Sequence, residues 1–454
     1  MIAPARLAAY DALQAVDAGR LDLPAALAHV RARLPDERDR ALAGEIATGT
    51  LRWRGAIDHV IAQFARREPS RLDAEVLTIL RLGLFQLLHL DRVPAAAVVD
   101  DAVEMTRKAG KRSASGLVNA LLRRASRERE SLPLPPRPGP GADRDERLTF
   151  LSVTGSHPRW LVDRWLERHG FEEADAWTAF DNAPAPLTLR ANTLRVTRDQ
   201  LAEELARHGI ETAPAAFAPD GLKVIAGNPL LTPLAHTGRF VVQDEASQLV
   251  GEFAAAQPGT AALDTCASPG GKTLQIAAGP GRRVVACDVR GRRVGLLART
   301  IAEAGADVRI VQADARGALP FPAVFDLVLV DAPCSGLGTI RRDPDIKWRR
   351  QAADLPGLAS QQRAMLAGAA AMVRPGGRLV YATCSSEPEE NEAVVDAFLD
   401  RHAGWGPPAE PAPSSAGAGL GRFIDARGHL RTLPFRDGLE AFFAAALVKR
   451  ADLR

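Results

Sequence analysis

Cysteine is scarce: 454 residues contain four, Cys266, Cys287, Cys334 and Cys384, with no Cys-x-x-Cys pair and no local Cys/His cluster. That spacing supports neither a disulfide framework nor a zinc site, so no metal is expected. Lysine is scarce too, six (108, 111, 223, 272, 347 and 449) of the 58 basic residues. A lysine kept inside a motif therefore stands out, because lysine and arginine differ in shape and donor geometry. Nowhere does an uncharged apolar run approach the ~18 residues that span a bilayer. The start, MIAPARLAAYDALQAVDAGR, carries Asp11 and Asp17 inside what would be the apolar core of a signal peptide. The expected setting is cytoplasmic, with no membrane partner.

What is present begins with length, about three times the ~150 residues of a usual domain. Net charge is only +3, but residues 104 to 129 carry Arg107, Lys108, Lys111, Arg112, Arg123, Arg124, Arg127 and Arg129 against two glutamates. Such a patch is an electrostatic footprint for nucleic acid, although a solvated helix face has the same composition.

Residues 1 to 130 read as all helix. Ile57, Val60, Ile61 and Phe64 fall at helical spacing, Val76 to Leu88 give a longer stripe, and Pro35, Pro69 and Pro94 separate the segments. SLPLPPRPGPGAD, within a spacer of residues 131–144, favours an extended conformation and marks the first expected domain boundary. Residues 145–240 mix helices with short strands, a small α+β subdomain. Within 241–454, from about 260, apolar runs alternate with helical segments: TAALDTC, RRVVACDV, ADVRIVQAD, FDLVLVDAP and GRLVYATCS. That alternation predicts a parallel, doubly wound α/β sheet of Rossmann-like type, with ligands at the carboxyl ends of its strands. The Gly/Pro/Ala/Ser-rich stretch 404–419 reads as a surface loop, and FFAAALVKR as a strand that closes the sheet.

Asp264, Asp288, Asp314, Asp331 and Cys384 lie at such strand ends. The first strand runs into Cys266-Ala267-Ser268-Pro269-Gly270-Gly271-Lys272, where the two glycines allow a tight turn that presents backbone N–H groups to a cofactor. Gly-Lys-Thr followed by LVLVD mimics a nucleotide-hydrolase P-loop, but Cys266 stands where that motif needs its first glycine. Asp288 is placed to accept from ribose hydroxyls and Asp314 from an adenine amino group, which points to an adenosine-type cofactor. Cys334 and Cys384 follow the ends of the fourth and fifth strands, while Cys287 reads as a core thiol. Two thiols and Asp331 beside a methyl donor suit C5 of cytosine, a poor nucleophile until a thiolate adds at C6 and an acid neutralises charge at N3. A disulfide oxidoreductase also uses two thiols, usually close in sequence, and needs no glycine loop.

DTCASPGGKT, DAPCSGLGTIRRDPDIKW and GGRLVYATCSSEPEENE resemble the motif blocks of the RNA (cytosine-C5) methyltransferases, as do QDEASQLV at 243–250 and PLTLRANTLR at 186–195. Upstream, DRALAGEIATGTLRWRGAIDHVI, ILRLGLFQLLHLDRVPAAAVVDDAV and GLVNALLRR resemble the NusB-like RNA-binding domain of the bacterial RsmB (Sun/Fmu) branch. The resemblance implies an S-adenosylmethionine-dependent enzyme acting on 16S rRNA, free or in a small-subunit assembly intermediate, at the position-967 cytosine. It implies that Cys384 is the nucleophile and that Cys334 aids product release. It places residues 266 to 272 around the methionine moiety, Asp288 on the ribose, Asp314 near adenine and Asp331 beside cofactor and base. Arg293 fits the cofactor pattern, and Lys347, in DPDIKW, fits as an RNA contact. Two departures stand out: Ser268 replaces the usual alanine, and DGLEAFFAAALVKR replaces a more compact Asp-Gly-Phe-Phe pattern. The contrasting reading is a non-catalytic RNA-binding or assembly factor with a vestigial methyltransferase domain.

Overall fold

A computed structural model describes residues 2–257, 259–409 and 419–451. Residues 410–418, most of the stretch read as a surface loop, lie outside the described residues. The chain forms two compact units, one of Met1–Pro184 with Ile340–Ala352, the other of Ala185–Thr339 with Ala353–Arg454.

The first unit is helical: α1 (Pro4–Asp17), α2 (Leu23–Arg31), α3 (Glu37–Arg52), α4 (Arg54–Ala65), α5 (Ala74–His89), α6 (Ala95–Lys108), α7 (Ser115–Arg127), α8 (Arg144–Thr149), α9 (Arg159–His169) and α10 (Phe171–Asn182). Helix α5 is apolar nearly all round and buried without a break from Thr78 to Leu87, as a central helix must be. Its three buried polar side chains are paired: Thr78 Oγ1 donates to Ala74 O at 2.9 Å, Gln86 accepts from Arg6 Nε at 2.7 Å, and Arg81 donates twice to Asp58 at 2.7 Å. Gly49 of α3 lies against the Phe85 ring, where an added Cβ would sit 1.9 Å from a ring carbon.

The proline-rich stretch lies within the first compact unit. Leu132 and Leu134 pack on the helical core, Pro133 O accepts from His59, and Pro135 O accepts from Thr154 Oγ1 at 2.7 Å. Proline makes this stretch extended, but its alternating leucines give it one apolar edge that packs. The α+β stretch of 145–240 also divides, since α8 to α10 belong to the helical unit and its strands to the other.

Ile340–Ala352 returns to the helical unit. Asp345 accepts from Leu23 N at the start of α2, Trp348 Nε1 donates to Leu51 O at 2.6 Å, and Lys347 Nζ donates to Arg52 O at 3.0 Å and Asn182 Oδ1 at 3.3 Å. Lys347 is 0% exposed, so the expected RNA contact is corrected: its charge end is spent on two internal acceptors. Burial pulls its amine down to about 7, with Asp181 opposing and Arg52 adding to the shift. Lys347→Met leaves both acceptors unpaired, at about 1–3 kcal/mol each. Thermal unfolding should show this unit destabilised by about 2–4 kcal/mol, while the salt dependence of RNA binding stays as in wild type; a changed salt slope with unchanged stability would contradict the assignment.

The second unit opens with β1 (Thr188–Ala191), α11 (Arg198–Arg207), β2 (Glu211–Pro214), β3 (Gly221–Ala226) and β4 (Phe240–Val242), an antiparallel sheet ordered β2-β3-β1-β4. Thr197 and Gln200 close a capping box at the start of α11. There follow α12 (Glu245–Ala255), β5 (Ala261–Asp264), α13 (Gly271–Ala277), β6 (Arg283–Asp288), α14 (Gly291–Ala304), β7 (Val308–Gln312), β8 (Phe325–Asp331), α15 (Leu355–Ala370), β9 (Val373–Thr383), α16 (Glu392–Arg401), β10 (Trp405–Gly406), β11 (Leu430–Arg431) and β12 (Phe443–Lys449). Strand order is β10-β12-β9-β8-β5-β6-β7, with β11 paired to β12. Strands β5 to β9 are parallel and β12 pairs antiparallel with β9, so the final apolar run does extend the sheet, making it mixed. The order reverses between β5 and β8, and the crevice at that reversal is where open α/β sheets bind ligands.

Candidate active site

At the reversal β5 ends in Asp264 and β8 in Asp331, side by side in the sheet, and the adjacent β9 ends at Thr383. A cavity of about 520 Å³ opens there. Its walls include Cys266, Ser268, Lys272, Asp288, Arg293, Asp314, Asp331, Cys334 and Cys384. The ends of five strands, β5 to β9, thus deliver three carboxylates and three thiols to one space.

The glycine loop is shaped from behind. Gly270 has φ +115°, and a Cβ there would meet Leu297 at 3.1 Å; at Gly271 one would meet Gln243 at 3.1 Å. Arg190 of β1 is buried and its Nη2 donates to Gly271 O at 2.9 Å. The Ser268-Pro269 peptide is cis. Asp288 accepts from Ser268 N, Arg290 N and Arg293 Nε, and Arg293 Nη2 reaches Ser268 O at 2.6 Å. Arg293 therefore braces the loop against Asp288. Asp314 is held by Arg316, which donates through Nη2 at 2.7 Å and Nε at 3.0 Å; these bonds keep its carboxyl below the usual range.

Lys272 Nζ donates to Asp331 Oδ2 at 2.8 Å. Burial works against the lysine's charge, yet Asp331 more than compensates and its pKa is raised. Asp264 is buried and accepts from Thr273 Oγ1 at 2.7 Å; burial, helped by Asp331, pushes its carboxyl up to about 7. An acid whose folded pKa is raised stabilises the fold most at low pH and loses that contribution as pH rises, here from about 4 to about 7. Asp264→Asn should flatten stability across that window in urea titrations at several pH values; an unaltered slope would contradict the burial argument.

Cys334 Sγ and Cys384 Sγ lie 3.3 Å apart. Hydrogen bonding to Cys384, then burial, raises the Cys334 thiol well above its ordinary range. The other two thiols are held protonated: burial pushes Cys266 and Cys287 each up to about 12, and Cys287 is fully enclosed in β6.

The cavity also takes walls that the sequence did not single out. Phe442, just before β12, lies 5.6 Å from Lys272 Nζ, and Gln361 and Met365 come from successive turns of α15. Only Phe442 sat in a motif, the divergent C-terminal one, and nothing local marks the α15 pair. Of the basic residues in the helical unit, Arg107, Lys108, Arg112, Arg123 and Arg127 are exposed. Lys111 is engaged by Asp73 and Glu75, Arg107 by Glu104, and Arg124 by Glu128 while lying over Phe64, so these three are partly neutralised.

The family described as "16S rRNA methyltransferase RsmB/F" matches residues 253–448, the NusB family matches residues 3–127, and a ferredoxin-like domain of RsmF/B-like methyltransferases matches 157–230. Ribosomal RNA small subunit methyltransferase B of Pseudomonas putida is 36% identical, over 99% of each chain. The chain belongs to the RsmB/F methyltransferase family. The relative of the same name from Xylella fastidiosa is 34% identical over 96% of this chain and 97% of its own. Among solved structures, PH0851 matches with a TM-score of 0.77 and 25% identity, covering 98% of this chain and 99% of its own. NSun6 from Pyrococcus horikoshii, crystallised with SFG, shares the fold with a TM-score of 0.56 and 22% identity, over 65% of this chain and 99% of its own. The expected fold classes stand: a NusB-like helical domain, a small α+β subdomain now seen as ferredoxin-like, and a Rossmann-like catalytic sheet.

RsmB/F proteins are S-adenosylmethionine-dependent methyltransferases. The cavity fits that cofactor: it has carboxylates at the ends of β6 and β8, an apolar side formed by Val289, Met365 and Phe442, and beside it a glycine turn where an added Cβ would crowd Leu297 or Gln243.

Proposed function

We propose that the protein methylates C5 of a cytosine in 16S rRNA, the position-967 base of the family, through a covalent bond between Cys384 and C6. The observation that carries this reading is the pair of thiols 3.3 Å apart beside the Lys272–Asp331 pair on one cavity wall. S-adenosylmethionine, when bound by the 266–272 loop, Asp288 and Asp314, supplies the methyl group.

Cys384 gives its S–H proton to solvent and adds as the thiolate to C6, and the ring electrons move toward C5 and N3. The Lys272–Asp331 pair faces the N3 side: a proton from the Lys272 ammonium passes through the Asp331 carboxyl to N3, neutralises the charge that develops there, and returns to the pair when the ring loses its C5 proton. Once C5 carries the methyl group, its proton leaves to a base, and the C5–H electron pair expels Cys384 Sγ. Cys334 keeps its own proton, so its S–H can donate to the departing sulfur and ease release. The exposed basic residues of the helical unit, Arg107, Lys108, Arg112, Arg123 and Arg127, supply phosphate contacts, whether the RNA comes free or in a small-subunit assembly intermediate.

The test is transfer of labelled methyl to unmodified 16S rRNA, followed by digestion to nucleosides. Label in 5-methylcytidine is expected; label on ribose or on another base would overturn the proposal.

A further inference from the structure

We infer that Glu390 is a positioning residue that holds the loops of Cys334 and Cys384 in register, an inference that rests on the covalent role given to those thiols. Glu390 is completely buried in the turn Pro388–Glu390, after β9 and before α16. Its Oε1 accepts from Ser335 N at 2.8 Å and from Gln362 Nε2 at 2.9 Å, and its Oε2 accepts from Ser385 Oγ at 2.5 Å. Ser335 directly follows Cys334, and Ser385 directly follows Cys384. One carboxyl therefore ties the two loops together at the residue next to each sulfur.

The rest of the network serves the same crossing. Gln362 Nε2 also donates to Pro333 O at 3.1 Å, and Ser335 Oγ meets Ser385 Oγ at 3.1 Å. Tyr381 Oη donates to the Glu390 carbonyl at 2.5 Å, fixing the turn to β9. Asn391 accepts from Thr383 Oγ1 and donates to Ser385 O at 2.9 Å, so the backbone on both sides of Cys384 is held. A buried carboxyl is costly unless its oxygens are satisfied, and here the donors come from both thiol loops. The sulfurs sit where two separate strands happen to end; strand pairing alone does not fix a side-chain separation of 3.3 Å.

Full-length Glu390→Asp keeps the carboxyl but shortens its reach, so one carboxyl can no longer serve both loops. Glu390→Gln keeps the length and one acceptor, and its amide can donate to the Ser385 hydroxyl; it should behave between wild type and Glu390→Asp. Ser385→Ala removes one bridge and is the second test should Glu390→Asp fold poorly.

Two readouts are needed. In dithiothreitol redox buffers, Cys334 and Cys384 pass two electrons and two protons to oxidised dithiothreitol as their disulfide forms, a reaction that needs no RNA. Its equilibrium constant should fall about tenfold in Glu390→Asp, equivalent to about 30 mV. The value of kcat should fall about 100-fold, the cost of a misplacement of about 1 Å, with KM for RNA and S-adenosylmethionine binding unchanged. Wild-type values of either quantity in both Glu390→Asp and Ser385→Ala would overturn the inference. Failure of the covalent reading looks different: Cys384→Ala would still transfer methyl, whatever Glu390→Asp does to the thiol equilibrium.

Discussion

Cys384→Ala should abolish methyl transfer, by about three orders of magnitude or more, the scale reached when a catalytic nucleophile is removed. Cys334→Ala should also stop turnover but for a different reason: Cys384 still adds to C6, and the adduct then waits for a release step that has lost its S–H donor. Denaturing gels of each variant incubated with RNA and S-adenosylmethionine separate the two outcomes. A stable protein–RNA band belongs to Cys334→Ala alone. The band in Cys384→Ala instead would reverse the two roles, and full transfer by Cys384→Ala would remove covalent catalysis altogether. Neither substitution creates a large void, and each removes only one weak S–H···S hydrogen bond, so stability should change little in both.

The second large effect is expected at Lys272. Lys272→Met removes the partner of Asp331 and leaves a carboxylate in a site where the lysine side chain is 11% exposed and the Asp331 side chain 29%. Losing one member of a fully buried pair costs about 3–5 kcal/mol; the partial exposure of Asp331 brings the expected loss to about 2–3 kcal/mol. Transfer should fall at least about 100-fold, since preorganised charge of this kind carries about 10²–10³ in rate. The double variant Lys272→Met with Asp331→Asn separates the contributions. It should regain most of the stability, because no unpaired charge remains, without regaining transfer. Recovery of transfer in the double variant would show that the pair serves only the fold.

How much of this was legible in the sequence differs from place to place. The parallel strands were plain, because β8 (FDLVLVD) and β6 (RVVACD) are apolar runs ending in polar residues, and a central strand buried on both faces must read that way. Proximity of Cys334 and Cys384 followed from the same pattern, since each lies just past the end of one of two neighbouring strands. Composition registers the extended backbone of the proline-rich stretch, which falls between the matches at 3–127 and 157–230, but not that Leu132 and Leu134 share an edge that packs on the helices. Lys347 was read as an RNA contact from the resemblance of DPDIKW alone, while the acceptors that enclose its amine, Arg52 O and Asn182 Oδ1, are remote in sequence. Strands β2 and β3 went unread because both are short and half exposed, with little periodicity to detect. Gln361 and Met365 reach the cavity from a helix with no motif, and only the packing of α15 on the sheet brings them there.

The most direct test is of C5 itself. Unmodified 16S rRNA carrying tritium at C5 of its cytosines is incubated with the protein and S-adenosylmethionine labelled in the methyl group with carbon-14. One tritium should appear in water for each methyl group transferred, because the methyl group can stay on C5 only when that proton leaves. Methyl transfer with all of the tritium retained in the RNA would contradict the mechanism.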